Sequence, residues 1–133
     1  MKQTLMESLL ETLTLVEDGK LDAATKFNRG NLSELLKICN ACGAAGSRLP
    51  VPQTAYGLDL RPMCHIHDTD YEWGTSNDAK DVADRRMRNN GHRLIRQRSV
   101  WFLKRARRLR VQTYYLMVHN FGGEAFWDGK IEK

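Results

Sequence analysis

The sequence predicts a small, mainly α-helical protein built around one core. Several segments carry apolar residues at helical spacing and begin with helix-start signals, whereas only one five-residue stretch alternates as a strand would. A chain of 133 residues is long enough for one domain with a single core. Its hydrophobic fraction of 41% and charged fraction of 28% are typical of a folded, soluble protein and argue against global disorder.

The first part of the chain is predicted to hold short helices. Thr4–Glu17 has leucines on one side and ends near a glycine, as an amphipathic helix does. Leu21–Phe27 could form a second short helix. Asn31 to Glu34 has the form of a capping box, which predicts a helix that reaches Ile38 or Cys39.

A loop is predicted before the next helix. The small residues at 42–47 are followed by Pro50 and Pro52, which exclude a regular helix, and a loop without bulky side chains can turn its carbonyls inward. The alternation in Tyr56–Leu60 predicts a short strand or an extended arm. Pro62 then fits the first position of a helix, where its missing N–H costs nothing.

Two long helices and a folded-back tail complete the prediction. After a turn at 73–78, apolar periodicity predicts a helix to about Arg98. The last helix should span roughly Leu103 to Asn120 and end in a glycine cap at 121–123. Phe126 and Trp127 should fold back on the body, because large aromatic side chains are rarely left in solvent.

The strongest functional signal is a polar stripe on the Pro62 helix. Cys64, His67, Asp68 and Tyr71 stand at i, i+3, i+4 and i+7, so all four should project from one face. Four polar or reactive groups on one stripe make a poor core. A lone histidine is most simply a hydrogen-bonded core residue, but this histidine has polar neighbours.

The sequence at 64–71, Cys-His-Ile-His-Asp-Thr-Asp-Tyr, resembles the Cys-x-x-His-Asp-x-x-Tyr signature of the phospholipase A2 superfamily. The preceding Tyr-Gly-Leu-Asp-Leu at 56–60 is similar to its prokaryotic branch, and Cys-Gly-Ala-Ala-Gly at 42–46 is similar to its calcium loop. The resemblance covers about 39–122. It implies a phospholipase A2-like domain at 39–133, with two antiparallel active-site helices and a metal-binding loop, preceded by an N-terminal helical extension at 1–38.

The resemblance assigns catalytic roles to three residues. It implies that His67 is the general base that takes a proton from water, which is a task suited to neutral histidine near pH 7. Asp84, on the following antiparallel helix, would fix the tautomer of His67. Tyr71 would hydrogen-bond Asp84. The implied activity is calcium-dependent lipid ester hydrolysis.

The resemblance also implies a calcium site and a disulfide. Asp68 would ligate calcium together with backbone carbonyls of the loop and water, since calcium takes about six to eight oxygen ligands. The carbonyls expected to do so belong to Ala41, Gly43 and Ala45. The family joins the pair that corresponds to Cys42 and Cys64 by a disulfide, which leaves Cys39 without a partner.

The positive charge is concentrated late in the chain. The net charge is +5, yet 85–110 contains eleven Lys or Arg residues and no Asp or Glu. Such a block is often simply a solvated helix face. The functional alternatives are a phospholipid membrane surface or nucleic acid phosphates.

A rival interpretation uses the same cysteines. Cys39-x-x-Cys42 and Cys64-x-x-His67 have a spacing compatible with a tetrahedral zinc site. Combined with the basic helices, this site predicts a zinc-stabilised module that binds nucleic acid. A non-catalytic relative of the phospholipases is a third possibility.

Targeting signals are not evident in the sequence. No run approaches 18 apolar residues, and the first residues lack both a continuous hydrophobic region and a small-residue cleavage site. The expectation is a cytoplasmic protein, or one exported by a non-classical route.

Overall fold

The protein is mainly helical in a computed structural model that describes residues 3–39 and 53–130. Its six α-helices within those ranges are α1 (Leu5–Glu17), α2 (Leu32–Ile38), α3 (Arg61–Trp73), α4 (Asn77–Arg98), α5 (Trp101–Phe121) and α6 (Gly123–Trp127). A 3₁₀ helix, Arg29–Asn31, precedes α2. Two short strands, β1 (Thr54–Ala55) and β2 (Leu58–Asp59), form an antiparallel hairpin before α3.

The three long helices α3, α4 and α5 pack side by side with alternating direction. Met63 of α3 and Val111 of α5 both approach Gly91 of α4, so the three helices meet closely at that glycine. Toward the other end of α4, His67 and Asp84 join α3 to α4. This antiparallel arrangement was expected for the pair α3 and α4.

The amino-terminal helices share the core of the long helices. Leu9 and Leu13 of α1 and Leu35 of α2 are fully buried in the same cluster as Ile66 of α3 and Leu94 of α4. The extension is therefore packed as part of one hydrophobic core, which in a protein of this size supplies most of the stabilisation.

Several boundaries agree with the sequence prediction. Thr4 caps α1 by accepting a hydrogen bond from the backbone N–H of Glu7, and Ser76 caps α4 in the same way. Pro62 lies in the first turn of α3. Phe126 is fully buried against Tyr71, so the tail folds back as predicted.

Other local predictions were wrong. Leu21–Phe27 is not a helix, because Asn90 accepts from the N–H of Asp22 and donates to its carbonyl, which occupies that backbone. Asn31 does not close a capping box, since its side chain donates to the carbonyl of Lys26 instead.

The hairpin is more regular than the predicted strand or arm. Tyr56 and Gly57 have φ of 49° and 81°, which is the left-handed pair that a tight two-residue hairpin requires. The buried Arg107 of α5 donates to the carbonyls of Ala55 and Tyr56 and to the hydroxyl of Ser99. One of the eleven basic residues thus has a structural role.

The carboxyl end of α5 also differs from the prediction. Gly122 has φ of −81°, so it is not a left-handed glycine cap. A Cβ at this position would lie 2.4 Å from the carbonyl oxygen of Val118 and 2.6 Å from the Tyr71 hydroxyl. Glycine is required there because of close packing rather than backbone handedness.

None of the described helices combines the length and the apolar character needed to cross a membrane.

We expect Gly91→Ala to destabilise the protein by about 1–3 kcal/mol, because its methyl group would lie 2.7 Å from Val111 and 2.9 Å from Met63. The cost should exceed the roughly 1 kcal/mol that alanine gains in helix propensity. Urea unfolding measures the change. Gly123→Ala is the matched control, since a Cβ there meets nothing within 4 Å; equal stabilities of the two variants would contradict the packing argument.

Candidate active site

The residues predicted as a catalytic pair lie together between α3 and α4. Nε2 of His67 is 2.9 Å from Oδ1 of Asp84, and the hydroxyl of Tyr71 donates to the same oxygen at 2.7 Å. His67 and Tyr71 are one turn apart on α3, with ring centroids 4.1 Å apart, so both reach the carboxylate of the neighbouring helix.

The hydrogen bond to Asp84 determines which nitrogen of the His67 ring carries the hydrogen. The carboxylate can only accept, so Nε2 of His67 carries the hydrogen. In the neutral ring Nδ1 then holds the lone pair and can accept a proton. The Asp84 side chain has no exposed surface, whereas 10% of the His67 side chain is exposed. The geometry suits a general base with a buried orienting carboxylate.

Lys80 is a third donor to Asp84 that the sequence analysis did not identify. Its Nζ donates to Oδ2 of Asp84 at 2.7 Å, and also to the carbonyls of Val118 and His119 at the end of α5. Both carboxylate oxygens of Asp84 are thus occupied. The i, i+4 spacing of Lys80 and Asp84 on α4 was the available signal.

The electrostatics keep Asp84 ionised. Burial alone would raise the pKa of Asp84, but hydrogen bonds from His67, Lys80 and Tyr71 lower it overall. Burial and the neighbouring Asp84 carboxylate raise the pKa of Tyr71, so its hydroxyl remains a donor. Asp84 is a buried charge surrounded by three donors.

Asp68, the predicted calcium ligand, faces a different sector from His67. Its carboxylate is partly buried and lies close to Cys39 and to the fully buried His65. The other predicted ligands, Ala41, Gly43 and Ala45, lie outside the described residues. Of the predicted calcium set, only the Asp68 carboxylate can be located.

The cysteines do not support the alternative zinc set. Cys64 is disulfide-bonded, and a disulfide sulfur offers no thiolate. Cys39 is a free, buried thiol. Cys42, the predicted disulfide partner, lies outside the described residues. His67 also directs Nε2 to Asp84 rather than to Cys39 or Cys64. Of the predicted zinc ligands, Cys64 is thus held in a disulfide.

Two groups of side chains that could hold a metal ion occur in the described ranges. Cys39, His65 and Asp68 form one, and Asp81, Asp84 and His119 form the other, beside the candidate active site. Burial raises the pKa of the Cys39 thiol, with a further contribution from Asp68. Burial and the positive charge of Arg61 lower the pKa of His65 to about 4.

The fold and the site define a small helical protein with a buried aspartate that orients a partly exposed histidine. Comparisons with protein-family models, with curated proteins and with solved structures gave no match.

We expect Lys80→Met to destabilise the protein by about 3–5 kcal/mol, because it removes the cation paired with a buried carboxylate. Adding Asp84→Asn should recover part of this loss, since the charge left without its cation disappears. Unfolding free energies of the wild type, the two single variants and the double variant measure the coupling. If the effects of the two changes sum within about 0.5 kcal/mol, the pair is not coupled.

Proposed function

We propose that this protein is a calcium-dependent, phospholipase A2-like hydrolase that cleaves lipid esters with water. The observation that carries the proposal is the His67–Asp84 pair, with Tyr71 on the same carboxylate oxygen. The three residues are the ones that the resemblance to the superfamily singles out. A buried carboxylate on one ring nitrogen is an arrangement used to orient a catalytic histidine.

In the proposed reaction His67 acts as general base through Nδ1. It takes a proton from a water molecule while that water attacks the ester carbonyl carbon, and it returns the proton to the leaving alcohol. Asp84 holds the ring orientation and stabilises the imidazolium that forms. Tyr71 and Lys80 fix both oxygens of Asp84, so the carboxylate cannot rotate away.

Asp68 is the proposed calcium ligand among the described residues. A carboxylate oxygen is a suitable ligand for this hard cation, and the position one residue after His67 separates the metal from the base. Bound calcium would supply positive charge for the oxygen that becomes negative in the transition state. The further oxygen ligands would come from the loop residues named above and from water.

The proposed substrate surface is an anionic phospholipid membrane, and α5 is the helix suited to contact it. On its outer face Phe102, Leu109 and Leu116 follow one another every seven residues, with exposures of 64%, 64% and 46%. Trp101 at its start is 83% exposed. Exposed apolar side chains in a row favour an interface over plain solvation.

The charge of α5 matches an anionic surface. The helix contains no Asp or Glu, and exposed arginines flank its apolar row, namely Arg105, Arg108 and Arg110. Cations near an anionic leaflet are worth about 1 kcal/mol each. Lys80 joins the carboxyl end of α5 to Asp84, so the helix that carries this surface also contacts the candidate active site.

We expect His67→Gln to lower calcium-dependent release of fatty acid from phosphatidylglycerol vesicles by about 10²–10⁴, the usual contribution of a general base. The assay compares the wild type with and without a calcium chelator. His92→Gln is the matched control, since His92 lies two turns beyond Asp84 on α4 and is not part of the pair. Undiminished release by the His67 variant would exclude this mechanism.

We expect Leu109→Glu to weaken binding to anionic vesicles by at least about tenfold, because burial of a leucine is worth about 1.5–3 kcal/mol and the new carboxylate is repelled. Sedimentation with vesicles of graded phosphatidylglycerol content measures this binding. Val82→Glu introduces the same carboxylate at an apolar position of α4 that is 46% exposed, and this variant should bind as the wild type does. The assignment of this surface would be wrong if vesicle binding did not change with salt concentration, with anionic lipid content or with the substitution at Leu109.

A further inference from the structure

A second polar cluster, along α3, includes neither His67 nor Asp84. The sulfur of Cys39, a ring nitrogen of His65 and a carboxylate oxygen of Asp68 all lie within 4.8 Å of one another. Cys39 is 3% exposed and His65 is fully buried, while Asp68 is partly exposed. The cluster is thus buried at Cys39 and His65 and accessible from solvent at Asp68.

The ring of His65 has one nitrogen that the described residues leave without a partner. Nε2 lies 2.7 Å from the hydroxyl oxygen of Ser8 on α1, whereas the buried Nδ1 has no hydrogen-bond partner in the described ranges. A buried polar atom without a partner costs about 1–3 kcal/mol. Nδ1 is the nitrogen available to a ligand, since Ser8 holds the other.

We propose that Cys39, His65 and Asp68 form a zinc site, with water as the fourth ligand. Sulfur, imidazole nitrogen and carboxylate oxygen are the three ligand types that zinc combines in proteins, whereas calcium takes oxygen alone. Ligand atoms of a tetrahedral zinc ion lie about 3.5 Å apart, given bonds of about 2.0–2.3 Å. Distances of up to 4.8 Å in the present cluster would have to shorten by at most about 1.3 Å to reach that geometry.

Zinc binding replaces the S–H bond of the Cys39 thiol with a Zn–S bond. The S–H bond of Cys39, which now donates to the carbonyl of His65, breaks as the Zn–S bond forms, and the proton passes to water. Nδ1 of His65 gains the partner that it lacks. Ser8 then accepts from Nε2–H and orients the ring, which is the usual task of an outer-shell residue.

The site would join the amino-terminal helices to α3. Ser8 comes from α1, Cys39 follows the last residue of α2, and the other two ligands belong to α3. Asp68 is also the proposed calcium ligand, so zinc should inhibit hydrolysis by competing for that carboxylate. This consequence rests on the proposed function, whereas zinc binding itself does not.

The test is a cobalt(II) titration of the purified full chain after removal of metals with a chelator. Cobalt replaces zinc with the same ligands and reports a bound thiolate by a sulfur-to-metal charge-transfer absorption. We expect this absorption to saturate at one cobalt per chain and to disappear when zinc is added. Absence of the absorption in the wild type would overturn the proposal.

Variants assign the ligands. Cys39→Ala should abolish the absorption. Asp68→Asn should lower the affinity for zinc by more than the roughly 10–100-fold that loss of an outer-shell partner costs. Ser8→Ala should lower the affinity for zinc by about 10–100-fold, as loss of an outer-shell partner does. His119→Gln, in the other group of ligating residues, should bind as the wild type does. The site would be wrong if zinc affinity depended on His119 and not on Asp68.

Folding and hydrolytic activity are measured separately from metal binding. Circular dichroism checks each variant, and Asp68→Asn decides the question if Cys39→Ala fails to fold, because Asp68 is partly exposed. If the wild type hydrolyses lipid, zinc should inhibit it at concentrations that saturate the cobalt-competition assay. A protein that binds cobalt through Cys39 but hydrolyses nothing would refute the proposed function and support the zinc site.

Discussion

The buried carboxylate of Asp84 is the constraint on which the candidate site and much of the packing depend. An ionised carboxylate without exposed surface is tolerated only if hydrogen bonds replace its lost hydration. Three side chains do so here, Tyr71 and His67 from α3 and Lys80 from its own helix. The spacing of α3 and α4 is therefore set by polar contacts as well as by apolar ones.

Close packing between the long helices explains two glycines that have no backbone reason to be glycine. Gly122 leaves room for the Tyr71 hydroxyl, and Gly91 lets α3 and α5 approach α4. Both lie at contacts between the long helices. Larger residues would separate those helices and lengthen the hydrogen bonds to Asp84.

The sequence predicted helices where periodicity and capping agree, and failed where tertiary contacts decide. Thr4 and Ser76 are caps that act locally, so α1 and α4 begin as expected. The backbone of Asp22 is instead bound by Asn90, a residue 68 positions away, and no local pattern reveals that contact. The helix α5 begins at Trp101, two residues before the predicted Leu103, because exposed aromatic residues do not mark a helix boundary.

The sequence motif and the geometry of a helix were enough to predict the part of the candidate site formed by His67, Tyr71 and Asp84. His67 and Tyr71 lie one turn apart, and a short turn between antiparallel helices brings Asp84 opposite them. Lys80 was identifiable from its spacing to Asp84 but has no counterpart in the motif. The contact of Ser8 with His65 spans 57 positions and required the fold.

Lys80 also has a consequence for the motions of the protein. Terminal turns of helices normally fray on short timescales, and the amides there exchange rapidly with solvent. The last carbonyls of α5 are instead held by an ammonium group that also neutralises Asp84. Fraying of this terminus would remove two of the three acceptors of the Lys80 ammonium group, so local opening of α5 should also loosen the hydrogen bonds around Asp84 in the candidate site.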